Sequence, residues 1–476
     1  MVKNTRLLRY EMVIGLVDAD LLDGGTRHPN LALLKLAGFL HDHNIEFELI
    51  ESGDADISKY HLIYISKVFT FTNNPSFFNE KKERDLKSNS KFRWGGTGFY
   101  ATDYDDESFT RKRLEDMSQL EDDAFLNRYP NMREGKAMGI SMAHQMPYYD
   151  LYIPYIEKII NKGKKKRAYY KDYLDYSIGF LTRGCFRQCP FCVNRLEKRI
   201  LPYSGLNSFL DNERDKNGKL KRPYIYLWDD NFLASPPRVW RSLLHALIET
   251  KRPFQFRQGL DERMLADSPY GEEIAELLSK CKYHGDYIFA FDNWSDREKI
   301  ERALKIWKYY NKKETKFYLF CGFRLTPDDD LHLYQDVWEI FARIKVLMQY
   351  GCLGYIMRHE DYHKHELSNI YVQIARWCNQ PGFYRKMSFW EYAYKNQSYW
   401  EQHTKGLDTP DMKTYEEFRR DYAHGLYPHG IALPLKTTID FIDRFPDHTD
   451  EILEMFNYRL HDLYNPQLWE RKGGKI

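Results

Sequence analysis

The sequence predicts an α/β protein with three parts: an N-terminal Rossmann-like parallel sheet domain, a central partial (β/α)6 barrel, and a C-terminal mainly helical region. Three observations predict it. The first 70 or so residues read strand, helix, strand, strand; from Tyr176 six short apolar runs each end in a polar cluster, with helical stretches lying between them; and that rhythm stops near residue 365. At roughly 150 residues per domain, 476 residues allow about three domains. The breaks in pattern place them at 1–150, 170–365 and 366–476.

The first strand is MVIGLV (12–17), which runs into a polar turn ending DGGTRHPN (23–30). From Asn30 the apolar residues Leu33, Leu36, Ala37 and Leu40 recur at three- and four-residue steps, which predicts an amphipathic helix. FELI (47–50) and HLIYIS (61–66) follow as strands, a spacing that suggests a parallel Rossmann-like sheet. Residues 80–135 are charge-rich and irregular apart from RWGGTGF (93–99), which reads as a turn between elements because its glycines do not match GxGxxG. The basic run KGKKKR (162–167) reads as solvated surface.

The central strands are SIGFLTRG, PYIYLWDDNF, PFQFRQGLDERML, YIFAFDN, FYLFCGFR and CLGYIMRHED. VWRSLLHALIET (239–250) and REKIERALKIWKYY (297–310) are helices between them. Active sites of βα barrels lie where strands end, and the polar clusters of this sequence all lie there. Beyond residue 365 the chain reads as helices and loops rich in Tyr, Trp and Arg.

Composition narrows the partners. Hydrophobic residues at 43% and charged residues at 29% describe a globular chain, and a net charge of +2 gives no bulk case for nucleic acid or membrane. No apolar run approaches the ~18 residues of a membrane span. Seven cysteines, three of them clustered, do not form a disulfide framework and point to a reducing, cytoplasmic compartment.

The clustered thiols are Cys185, Cys189 and Cys192 in GFLTRGCFRQCPFCVNR (179–195), a CxxxCxxC spacing. A closed zinc site wants four ligands, usually in two pairs, and no second Cys or His pair lies near this loop. A ferredoxin-type cluster uses four cysteines, and one is missing. The third reading makes the missing ligand the point: three thiolates hold three irons of a 4Fe–4S cluster, and the fourth iron stays open.

This loop, after the first strand of a βα barrel and with aromatic Phe191 before the third cysteine, resembles the radical S-adenosylmethionine (SAM) superfamily over about residues 176–360. The resemblance implies that SAM chelates the open iron and is cleaved reductively to a 5′-deoxyadenosyl radical, which abstracts hydrogen from a substrate carbon. It implies an external electron donor such as flavodoxin or ferredoxin. Flanking Arg183, Arg187 and Arg195 are candidates to offset cluster charge, with plain solvated arginines as the alternative. By analogy the SAM contacts are Asp229, Asp230 and Asn231, which replace the family's GGE, with Gln258 and Asp261 at the third strand end and Asp292 at the fourth. Arg324, at the fifth, is the candidate partner of the SAM carboxylate, and Arg358, His359 and Glu360 end the sixth. Phe191 is a candidate to stack on adenine.

The N-terminal region resembles the cobalamin-binding-like domain that precedes many radical SAM barrels, but the histidine-ligating DxHxxG is absent. Cobalamin is therefore possible but not favoured. No cysteine precedes Cys185 and none follows Cys378, so one cluster is expected. The aromatic, basic C-terminal region allows a nucleic acid or nucleotide substrate through stacking, and equally a helical cap. The alternatives are a non-catalytic iron–sulfur or zinc binding module and a cobalamin-dependent radical SAM methyltransferase.

Overall fold

The computed structural model describes residues 13–86, 90–100, 142–194, 198–405 and 411–470. Arg195 and most of the charge-rich stretch before residue 135 lie outside the described residues. The chain forms two compact units, Met1–Arg257 and Gln258–Ile476.

The first unit opens with a four-stranded parallel sheet in the order β2-β1-β3-β4, where β1 is Ile14–Asp18, β2 Phe47–Leu49, β3 Leu62–Ser66 and β4 Phe92–Gly95. All five residues of β1 are buried, as a central parallel strand requires. The predicted helix follows at Leu31–Asp42, and Asn30 caps it by accepting the Leu33 N–H at 3.2 Å. One expectation is corrected: RWGGTGF is not simply a turn. Its first half is part of β4, because Phe92 and Trp94 are 3% and 1% exposed and pair with β3. The turn begins only at Gly96, whose φ of +103° and approach to the Lys67 carbonyl leave no room for a side chain.

All six central strands are present, as two three-stranded parallel sheets. The first unit holds β5 (Tyr176–Gly179), β8 (Tyr224–Leu227) and β9 (Phe254–Phe256) in the order β5-β8-β9. It also holds a two-residue antiparallel pair, β6 (Thr182–Arg183) with β7 (Leu201–Pro202). The second unit holds β10 (Tyr287–Ala290), β11 (Thr315–Cys321) and β12 (Leu353–Arg358), also parallel. Helices Pro237–Glu249 and Arg297–Tyr310 lie where the sequence put them.

After residue 365 the described residues contain helices and no strand. Helices Asn369–Cys378, Phe389–Lys405, Leu433–Arg444 and Thr449–Phe456 gather around buried Phe341, Trp377, Phe389 and Phe456, with ring centroids 4.9–6.0 Å apart. No helix among the described residues is long and apolar enough to cross a membrane.

β5 ends at a close approach. A Cβ on Gly179 would stand 2.3 Å from the ring of Phe209, which is fully buried. Gly179→Ala is therefore expected to destabilise the protein by about 1–3 kcal/mol, the usual cost of overpacking. Thermal unfolding checks this. The double variant with Phe209→Leu should recover part of the loss, since the clash is with the ring; an unchanged melting temperature for Gly179→Ala contradicts the packing account.

Candidate functional site

The cysteine loop leaves the carboxyl end of β5, beside the loop that leaves β8. Two acids from the β8 loop hold its entry. Asp229 accepts the backbone N–H groups of Leu181 (3.2 Å) and Thr182 (2.6 Å) and the Thr182 hydroxyl (2.7 Å). Asp230 accepts the Gly184 N–H at 2.9 Å and Arg183 Nε at 3.1 Å. Gly184 turns the chain at a φ of +102°, and Gln188 turns it again at +52°. The Arg183 guanidinium lies 4.1 Å from the Phe180 ring centroid.

Inside the loop, N–H groups face sulfur. Arg187 N–H reaches Cys185 Sγ at 3.5 Å, Asn194 N–H reaches Cys192 Sγ at 3.4 Å, and Asn231 Nδ2 donates to Cys185 Sγ at 3.4 Å. A turn carries Cys192 N–H to the Cys189 carbonyl at 2.9 Å. All three thiols are half-buried. Burial pushes the Cys192 thiol up to about 11, and Cys189, Cys185 and Asp230 add to the rise through their charges. The three thiols and Asp230 are therefore electrostatic neighbours. A bound metal overrides such a shift by taking the thiolate.

Among the described residues no three Cys, His, Asp or Glu side chains converge as a single metal ion requires. A 4Fe–4S cluster does not ask for convergence, since each thiolate takes a different iron. All four remaining cysteines belong to the second unit, so the first unit contains Cys185, Cys189 and Cys192 alone. The donor set thus fits a cluster ligated at three corners.

The other candidates fall into separate groups. Asp229, Asp230 and Asn231 join the cysteine loop, but in unexpected roles. Asp229 is 1% exposed, and its oxygens are engaged by Leu181 and Thr182. Phe191 is half-buried beside Cys192. In the second unit Gln258 is exposed, and Asp261 accepts Arg263 Nε at 2.8 Å. Burial pushes Asp292 up to about 6, opposed by Arg343 and Arg263. Buried Arg343 donates to the carbonyls of Phe291, Asp292 and Phe320 at 2.9, 2.9 and 3.0 Å, clamping the ends of β10 and β11. Arg324 is exposed at a φ of +58°, its N–H on Asp361 at 3.0 Å and its guanidinium 5.0 Å from the Phe323 ring. Arg358 lies over Tyr362, His359 meets Asp361 at 3.1 Å, and Glu360 is exposed.

Two residues were not singled out by the sequence. Glu262 is 2% exposed and accepts the Ala290 N–H at 3.0 Å; burial, reinforced by Asp261, raises its carboxyl well above the usual range. Its only sequence cue is adjacency to Asp261. His28, in DGGTRHPN, lies edge-on to Trp228 with centroids 5.8 Å apart. Its Nδ1 faces the Asp172 carboxylate, and its Nε2 stands 3.1 Å from Arg257 Nη2. Arginine can only donate, so the network assigns the proton to Nδ1 and makes Nε2 the acceptor.

No family model and no curated protein matches the chain. Solved structures that resemble it include the radical S-adenosylmethionine methyltransferase TsrM from Kitasatospora setae with cobalamin and a [4Fe-4S] cluster bound. That likeness has 12% identity and a TM-score of 0.41, covering 73% of this chain and 72% of that one. Another is the cobalamin-dependent S-adenosylmethionine radical enzyme OxsB, with 13% identity over 94% of this chain and 78% of that one and TM-scores of 0.38 and 0.41 in two structures. Likeness at this level assigns no chemistry to this chain.

Asp229 also sets a pH dependence. Burial pushes its carboxyl from 3.8 up to about 6 against three donors that favour the charge. Between those values the folded protein keeps a proton that the unfolded chain has released. Its contribution to stability is thus full below the lower value and lost as pH rises through the upper one. Wild type is expected to lose stability relative to Asp229→Asn from about pH 4 to 6, by at most about 1.4 kcal/mol per unit. Thermal unfolding of both across this range checks the sign; a difference that does not change with pH contradicts it.

Proposed function

We propose that this chain is a radical SAM enzyme in which Cys185, Cys189 and Cys192 ligate a 4Fe–4S cluster and leave one iron for SAM. The observation that carries the reading is a single loop of three thiols at a parallel strand end, with N–H donors aimed at sulfur and no further cysteine in its unit. Bound together, cluster and SAM supply one-electron cleavage of the sulfonium to methionine and a 5′-deoxyadenosyl radical that takes hydrogen from a substrate carbon.

The chain's own residues prepare the ground for this chemistry. Asp229 and Asp230 fix the loop before any ligand arrives. The N–H groups of Arg187, Asn194 and Asn231 stabilise negative charge on sulfur and so raise the cluster potential. Arg183, paired to Asp230, offsets the charge of that acid beside the loop. A flavodoxin or ferredoxin donor and a cytoplasmic setting belong to the same reading. Cobalamin is not required by it, since the sequence lacks the DxHxxG motif that would supply a histidine ligand.

Two tests follow. Cys185→Ala, Cys189→Ala and Cys192→Ala together should abolish iron binding after anaerobic reconstitution and end formation of 5′-deoxyadenosine. Full iron content in the triple variant, or stoichiometric zinc in the wild type, overturns the assignment. Asn231→Ala should keep the iron and shift the midpoint potential to more negative values by tens of millivolts, read by redox titration with electron paramagnetic resonance. An unchanged potential removes Asn231 from the site.

A further inference from the structure

Three basic segments far apart in sequence share one edge of the first unit. Because β5, β8 and β9 are parallel, the segments entering them lie at the edge opposite the cysteine loop. The first is residues 162–167. Helix Ile153–Asn161 stops at Gly163, where φ is +68°, and Lys164 to Lys166 run on in solvent. Arg167 then grips Asp175, the residue before β5, at 2.7 Å. The second is a hairpin over residues 211–222. It is turned by Asn217 and Gly218 and closed by Asp215 N–H on the Lys219 carbonyl (2.8 Å) and Lys221 N–H on the Glu213 carbonyl (2.9 Å). The third is Lys251 and Arg252, which enter β9.

Hydrogen bonds join the three. Tyr224 N–H reaches the Asp175 carbonyl at 3.2 Å, and Asp211 N–H reaches Ser177 Oγ at 3.0 Å. Arg252 donates to the Asp211 carbonyl at 2.6 Å, while buried Arg222 and Asp211 pair at 2.7 Å beneath the hairpin. The platform is therefore fixed and its lysines are presented outward. Lys162, Lys164, Lys166, Lys216 and Lys219 are exposed and have no acidic partner among the described residues. The whole chain carries only +2, so this is a local concentration of charge.

We propose that this edge binds a nucleic-acid backbone. Lysine ammonium groups on fixed loops are point charges suited to phosphates and carry no base readout. Among the described residues, the large exposed apolar side chains lie outside these segments. That argues against a membrane, where a polybasic patch needs a second, apolar signal for stable attachment. It argues equally against a protein partner, whose interface would centre on apolar and aromatic residues. The inference stands apart from the radical SAM reading, since it needs neither cluster nor SAM.

Fluorescence anisotropy of the full-length protein with a labelled RNA of about 20 nucleotides tests it, with salt stepped from about 50 to 200 mM. Binding should weaken steeply with salt, with a log–log slope of about −2 to −4, as three to five single-strand phosphate contacts give. Lys164→Glu with Lys219→Glu should weaken binding about tenfold or more and flatten that slope. Lys305→Glu with Lys312→Glu, the same charge change on exposed residues of the second unit, should change it less than about twofold. Absence of RNA binding at the lowest salt overturns the proposal, as does equal loss in both double variants. So does sedimentation with phosphatidylserine vesicles in place of RNA binding.

Discussion

The entry of the cysteine loop is held by two carboxylates from the loop that follows a neighbouring strand, β8. After Gly179 the chain leaves the β5 ladder, and the N–H groups of Leu181, Thr182 and Gly184 find their acceptors on Asp229 and Asp230. Without those oxygens, buried donors would be orphaned at about 1–3 kcal/mol each. The same acids fix where Gly184 turns, and so where Cys185 begins. Asn231, next in the chain, touches the Cys185 sulfur itself. The tripeptide Asp229 to Asn231 thus sets the geometry of a loop entry 46 to 48 residues away in sequence, through the side-by-side pairing of β5 and β8.

Much of the fold was legible because it rests on local periodicity. The helix after Asn30, the helix over Arg297–Tyr310 and the six central strands follow from spacing and apolar pattern alone. The misreading of RWGGTGF has a physical cause. Its glycines signal a turn, yet Phe92 and Trp94 alternate into a core that only the partner strand β3 reveals. The thiol triplet was equally visible, since its spacing is its signal. The duties of the acids were not. Asp229 and Asp230 look like ligand contacts in a sequence, and their engagement with backbone N–H groups depends on neighbours brought close by sheet pairing. Glu262 and His28 were missed for the same reason: burial and partners are tertiary facts.

At the carboxyl ends of β1 and β3, the switch point where such sheets bind ligands, the chain's own polar groups bind one another. Asp18, pushed up to about 7 by burial, takes the Tyr152 hydroxyl at 2.7 Å, and that hydroxyl accepts the Asn30 N–H at 3.2 Å. Asn30 also donates to Ser66 at 2.8 Å. This network ties the N-terminal sheet to residues just ahead of the central strands. With His28 set against Trp228 and Arg257, it gives the N-terminal sheet a supporting role toward β8 and β9 within the first unit.

The central claim is that three thiolates leave one iron of four open to SAM. Mössbauer spectroscopy of protein reconstituted with iron-57, recorded with and without SAM, tests it most directly. The account predicts that SAM changes the signal of one iron in four and leaves the other three alone. A spectrum of four like irons that does not respond to SAM, or a protein that takes up no cluster, would contradict it.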